Sequence, residues 1–168
     1  MNRLLRILKH RVRDDTDARR AIGRDVVHRL QQRVHDSERQ HSGEIRICVE
    51  ASLPLSYLWR GLTARDRALT MFGKLRVWDT AHNNGVLIYL LLAEHAIEIV
   101  ADRGLNAHVS AAQWAAIVAT MRQAFRSGRH EQALNTAIDA VDALLRQHFP
   151  LAAGQANPNE LPDEPVLG

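Results

Sequence analysis

Asn83-Asn84-Gly85-Val86-Leu87-Ile88-Tyr89-Leu90-Leu91-Leu92 passes from three turn-forming residues directly into seven uninterrupted apolar ones. Seven residues fall far short of the roughly 18–20 needed to span a bilayer. They have the length and continuity of a strand buried on both faces, where no side can turn to water and no alternation survives. A strand covered on both sides needs helices above and below it. The pattern therefore predicts an α/β chain, a three-layer α/β/α sandwich around a small mixed sheet.

The flanking sequence supplies the other layers. Ala93-Glu94-His95 reads as a short turn, Ala96 to Ala101 as a further strand, and Asp102-Arg103-Gly104 as its end. Upstream, Glu44 to Ala51 alternates, with Ile45, Ile47 and Val49 on one face, and Leu53-Pro54-Leu55 stops it because proline cannot donate to a ladder. Thr63-Ala-Arg-Asp66 forms a capping-box pattern ahead of a helix carrying Ala64, Ala68, Met71, Phe72 and Leu75. Ala18, Ile22, Val26, Leu30 and Val34 recur every four residues, predicting one helix from Thr16 or Asp17 to about Arg39. Ser110-Ala-Ala-Gln113 caps a third helix that stops at Gly128, and a fourth, with Leu134, Ile138, Val141, Leu145 and Phe149 on one face, ends at Pro150. The expected organisation is a basic amphipathic segment over 1–15, the α/β domain over 16–150, and a disordered, proline- and glycine-bearing tail over 151–168.

Composition narrows the function classes. In 168 residues, 46% are hydrophobic and 24% charged, as in an ordinary globular chain. The single Cys48 excludes an internal disulfide framework and cysteine-rich metal sites, and it sits in an apolar run as a small hydrophobe. A cysteine phosphatase would need an arginine six residues later, where Pro54 stands. The net charge of +3 is uneven: residues 1–40 carry 11 Lys/Arg against 6 Asp/Glu, or +5, which leaves −2 for the rest. Arg3, Arg6, Lys9, Arg11 and Arg13 alternate with Leu4, Leu5, Leu8 and Val12, which share a helical face. Such a segment suits an anionic membrane surface or a protein groove, and equally suits packing on its own domain. Nucleic acid is not indicated, because no binding motif or aromatic stacking set accompanies the charge. Charges interrupt the apolar run a signal peptide needs, so the expected location is cytoplasmic, peripheral to the inner membrane face if the basic segment engages lipid.

Fold-back of the last two strands about Glu94 sets Val86 opposite Asp102, and a helical crossover makes the first two strands parallel, so Glu44 starts level with Gly85. One rim of the sheet then gathers Glu44, Asp79, His82, Asn83, Asn84, Asp102 and Arg103. Carboxylates and amide carbonyls suit a hard cation, and Arg103 suits an anion. The same residues also serve as ordinary turn chemistry: Asn83-Asn84-Gly85 as left-handed turn formers, Asp79 as a loop hydrogen-bonder, Asp102–Arg103 as surface charge.

His41-Ser-Gly-Glu44, Val77-Trp-Asp-Thr80, Asn83-Asn-Gly-Val-Leu-Ile-Tyr89 and Glu98-Ile-Val-Ala-Asp-Arg-Gly104 together resemble the TPM domain family, over about residues 18–150 and in the family's order. That family takes in a thylakoid-lumen acid phosphatase and a photosystem II repair factor, and the chain looks closest to its short soluble bacterial branch. The resemblance implies an α/β/α sandwich with an acidic cavity at this rim, where some members bind Ca²⁺ or related ions. The ligand positions fall at Asp79, Asn84 and Asp102, with Asn83, Gly85, Arg103 and Glu44 lining the pocket. Many members have aspartate where this chain has Asn83 or Asn84, and Gly-Tyr-Gly-Leu-Glu where it has Asp102-Arg-Gly-Leu-Asn106, so less negative charge would hold a cation. Two functions follow as expectations. One is a non-catalytic binding module, aided by Ca²⁺ or Mg²⁺, with a protein or anionic membrane engaged through the basic N-terminus. The alternative is a metal-assisted phosphatase-like hydrolase, in which Arg103 steadies phosphate and His82 is the nearest candidate base.

Overall fold

A computed structural model describes residues 3–13 and 15–168. The sheet has four strands in the order β3-β2-β1-β4: β1 (Glu44–Glu50), β2 (Gly85–Leu91), β3 (Ala96–Ala101) and β4 (Val166–Leu167). β1 and β2 run parallel, with Glu44 level with Gly85, while β2 and β3 form the antiparallel hairpin. The hairpin closes through a single 3₁₀ turn at Leu92–Glu94 and His95 at φ 49°, which sets Val86 opposite Ala101. The register is thus one residue away from that expected, and Asp102 faces Gly85, donating its N–H to the Gly85 carbonyl at 2.9 Å.

Strand alternation sorts the core into two layers. Ile45, Ile47, Val49, Val86, Ile88 and Leu90 face the helices α2 (Asp15–Ala21), α3 (Arg24–Glu38), α7 (Ala111–Arg126) and α8 (His130–His148). Cys48, Leu87, Tyr89 and Leu91 face α4 (Leu55–Arg60) and α5 (Ala64–Lys74). Burial of this kind stabilises by about 25 cal/mol per Å² of apolar surface. Both capping boxes form: the Thr63 hydroxyl accepts from the Asp66 N–H, and that of Ser110 from the Gln113 N–H. Glu50 brings charge into the second layer, where Arg67 Nε donates to it at 2.8 Å and the Tyr89 hydroxyl at 2.7 Å.

Three features depart from the sequence reading. The helix expected over 16–39 is two helices, because Gly23 is extended at ψ 161° and caps α3. Pro54, expected only to end β1, is also the N-cap of the short helix α4, with ψ at 144°. Residues 151–168 are not a disordered tail. They run back along the open edge of β1, bury Leu161, and end with Gly168 N–H donating to Val49 and its carbonyl accepting from Ala51 N–H at 2.7 Å. An unpaired edge and a buried leucine order this segment, and neither is a local property of its composition.

Ahead of the domain, α1 (Arg3–Arg11) lies against the hairpin turn. Leu53 N–H donates to His10 Nδ1 at 2.9 Å, so Nε2 carries the ring proton toward Glu94 at 3.0 Å. Arg6 bonds Glu94 at 2.6 Å and the Leu62 carbonyl at 2.7 Å. Among the described residues, no helix is long and apolar enough to cross a membrane.

Candidate functional site

The start of β2, the end of β3 and the loop 75–84 meet at one pole of the sheet. Backbone crowds backbone here, and glycine is what permits it. A Cβ on Gly85 would stand 2.0 Å from the Val77 carbonyl oxygen, and one on Gly104 would stand 2.5 Å from that of Asn83. The loop is held at several points. Asp79 N–H donates to Arg76 O at 2.9 Å, Asn83 N–H to Thr80 O at 3.2 Å, and Asn84 N–H to the Thr80 hydroxyl at 3.1 Å. The returning C-terminal segment adds a clamp, Glu160 accepting from Ala81 N–H at 3.0 Å. Asn83 takes φ 53°, a left-handed conformation that asparagine tolerates.

On this frame the predicted residues divide. Asn83 and Arg103 meet: the Asn83 side-chain oxygen accepts from Arg103 Nε at 3.0 Å and from Nη2 at 2.8 Å. Asp102 is the N-cap of α6 (Arg103–Asn106), its Oδ1 accepting from Arg103 N–H at 2.7 Å. Asn84 is fully buried and donates to the Ser42 hydroxyl at 3.3 Å. Asp79 stands apart in the exposed loop, paired with Arg76 at 2.6 Å. Glu44 is buried, and its Oε2 accepts from Leu161 N–H at 3.0 Å. Gly85 is the close-packing point itself.

The electrostatics centre on Glu44 and on a residue the sequence reading passed over. Burial pushes the Glu44 carboxyl up to about 7, while the N–H groups of Leu161 and Glu160 pull the other way. Glu38, at the end of α3, accepts from Ile45 N–H at 2.8 Å, and burial, reinforced by the charge of Glu44, pushes it up to about 9. Asp163 of the C-terminal segment also bears on both carboxyls. Among the described residues, Glu44 Oε1, Asn84 Oδ1 and Asp102 Oδ2 are shielded from solvent without a hydrogen-bond partner. These are hard oxygen donors of the kind a divalent cation takes. Among the described residues, no three His, Cys, Asp or Glu side chains come together as a metal-holding group.

Two further features escaped the sequence reading. Trp78 projects from the pinned loop, half exposed, between Arg76 and Asp79. Its place beside Asp79 was visible in sequence, but its exposure was not, since the neighbouring Val77 is fully buried. Elsewhere, Ser37, His41 and Asp142 cluster between α3 and α8, with Ser37 Oγ 3.0 Å from His41 Nε2 and donating to Asp142 at 2.8 Å. Here serine bridges histidine and aspartate, with His41 Nδ1 donating to the Gly43 carbonyl at 3.1 Å. A nucleophilic triad needs the imidazole in the middle, so this cluster is an interhelical tie.

Comparison with known proteins agrees with the architecture. The family model of the TPM domain matches residues 16–144. The NMR structure of the BA42 protein from the psychrophilic bacterium Bizionia argentinensis is similar, with a TM-score of 0.73 and 27% identity, covering 86% of this chain and 93% of that one. No curated protein matches the sequence.

Proposed function

The chain belongs to the TPM domain family, and from that premise we propose that it is a non-catalytic binding module whose rim loop, with Trp78 at its centre and Arg76, Asn83 and Arg103 around it, recognises a protein partner. One observation carries this reading: a half-exposed tryptophan stands on a backbone already pinned at both ends. Tryptophan and arginine dominate binding hot spots, and a loop ordered in advance loses little entropy on association. Asn83 holds the Arg103 guanidinium in plane, leaving its remaining N–H groups for a carboxylate or carbonyl of the partner.

A divalent cation, Ca²⁺ or Mg²⁺, belongs to the proposal as a support. Asn84, Asp102 and Glu44 each keep a buried oxygen free, and these would hold it. Bound there, the cation would draw Glu44 into its ionised form and stiffen the junction of β1, β2 and the loop. The phosphatase-like alternative asks Asp79 to bind metal and Arg103 to bind phosphate. Asp79 instead spends its charge on Arg76, which favours binding over hydrolysis.

The test is comparative. Cross-linked partners recovered in vivo with the intact chain should be depleted by Trp78→Ala and by Arg103→Ala, and titration calorimetry should detect Ca²⁺ or Mg²⁺ binding that weakens in Asp102→Ala. Metal-dependent hydrolysis of a phosphate ester that disappears in Asp79→Ala, with partner recovery indifferent to Trp78, would establish the enzyme reading in its place.

A further inference from the structure

The helix α1 is mounted with its apolar face outward. Leu4 is 74% exposed and Leu8 61%, with Leu5 beside them, and Val12, just past the helix end, is 77% exposed. The opposite side carries Arg6, Ile7 and His10 into the protein, where Glu94 and Leu53 hold them. A surface helix normally turns its leucines to the core, so this orientation is inverted, and specific polar bonds fix it. The helix packs beside α4, which also exposes Leu55 and Trp59, the latter at 63%. Basic groups border it: Lys9 and Arg11 on α1 and Arg60 on α4 are all exposed. Neither helix contains an acidic residue, and the nearby Glu94 is paired with Arg6 and hydrogen-bonded by His10.

We propose that this α1–α4 face docks on an anionic lipid bilayer surface. Leucines interleaved with cations, and a tryptophan at the margin, match the boundary between headgroups and acyl chains, where apolar side chains enter and lysine and arginine stay with lipid phosphate. Lysine, in contrast to arginine, is depleted at protein interfaces. A second copy of the chain would set one cationic helix against another, and like charges in apposition oppose that pairing. An anionic lipid surface complements both the leucines and the cations. The face lies at the hairpin-turn pole, away from the rim loop, and rests on observations separate from those behind the proposed binding function.

Vesicle flotation of the full chain tests this, using phosphatidylcholine vesicles and vesicles of phosphatidylcholine and phosphatidylglycerol in equal parts. Binding to the anionic vesicles should exceed that to neutral ones by at least about tenfold and fall as salt is raised. The exposed pair Leu4→Ser/Leu8→Ser should lower it about tenfold or more without moving the thermal midpoint, and Lys9→Glu/Arg11→Glu should abolish the lipid preference. Trp78→Ala should leave vesicle binding intact, which separates this surface from the rim. Equal binding to both vesicle types, or none, overturns the proposal. So does concentration-dependent self-association that vanishes in the leucine pair, which would give the face to a second copy.

Discussion

Replacing Glu38 with glutamine should make the protein more stable at neutral pH, by an amount that grows with pH. Glu38 is buried, and its carboxyl is pushed from 4.5 up to about 9, chiefly by burial and then by the charge of Glu44. A carboxyl raised in the folded state binds its proton more tightly there than in the unfolded chain. Its stability contribution is complete below 4.5 and is lost as pH rises toward 9, at about 1.4 kcal/mol per pH unit. At pH 7 the interval from 4.5 amounts to at most about 3.4 kcal/mol, and relaxation around the site reduces it, so a gain of roughly 1–3 kcal/mol is expected for Glu38→Gln. Glutamine keeps the oxygen that accepts from Ile45 N–H and offers an N–H in place of the carboxyl proton, so no hydrogen bond need be sacrificed. Urea denaturation at several pH values between about 5 and 8.5 reads the effect. The wild type should lose stability steadily across the range. The variant should keep only the shallower slope from Glu44, which ends near pH 7. Two parallel curves would mean that Glu38 holds no proton at neutral pH, and the buried acidic pair would have to be rethought.

Gly85→Ala should cost roughly 2–4 kcal/mol, because its methyl would meet the Val77 carbonyl and the loop must move; Gly23→Ala, with open space around it, should stay within about 1 kcal/mol, and thermal midpoints separate the two. Arg67→Ala should destabilise by about 3–5 kcal/mol, leaving Glu50 buried with only Tyr89 as a partner; Glu50→Gln/Arg67→Met should recover a large part of this in the same denaturation assay. Burial lowers the His10 imidazole below 6.5, so the unfolded chain binds the extra proton first, and the anchorage of α1 should hold above pH 6.5 and weaken as pH falls below it. Proteolytic cleavage around residue 13 should accelerate in that acid range, and a rate independent of pH would refute the role given to His10.

The sheet was legible because its signals are local. Val86 to Leu92 has one interpretation at that length, Thr63 and Ser110 announce their helices, and the parallel alignment of Glu44 with Gly85 follows from the intervening helix. The one-residue register difference depends on how Leu92–His95 closes, which composition does not dictate. At the rim, Asn83, Asn84, Asp102 and Arg103 could be gathered from strand geometry, but their commitments could not. Whether Asp79 turns to Arg76 or inward is decided by side-chain packing, and whether Glu44 is charged depends on Leu161, more than a hundred residues away. The burial of Glu38, which raises its carboxyl, was illegible for the same reason: helix α3 reads as amphipathic, and nothing in its pattern marks that glutamate as buried.

The C-terminal segment unites two properties normally treated apart. Between Asn157 and Gly168 one strap bonds the carbonyls of His41 and Gly43, covers Glu44, and zips the free side of β1. Any competitor that peels it away would admit water to Glu44, letting its raised carboxyl fall back toward the ordinary range, and in the same motion would bare the backbone groups of Cys48 to Ala51 to a foreign strand. Proton release and strand capture thus share a single latch, and a change in pH that favours ionised Glu44 pulls on the same fastening.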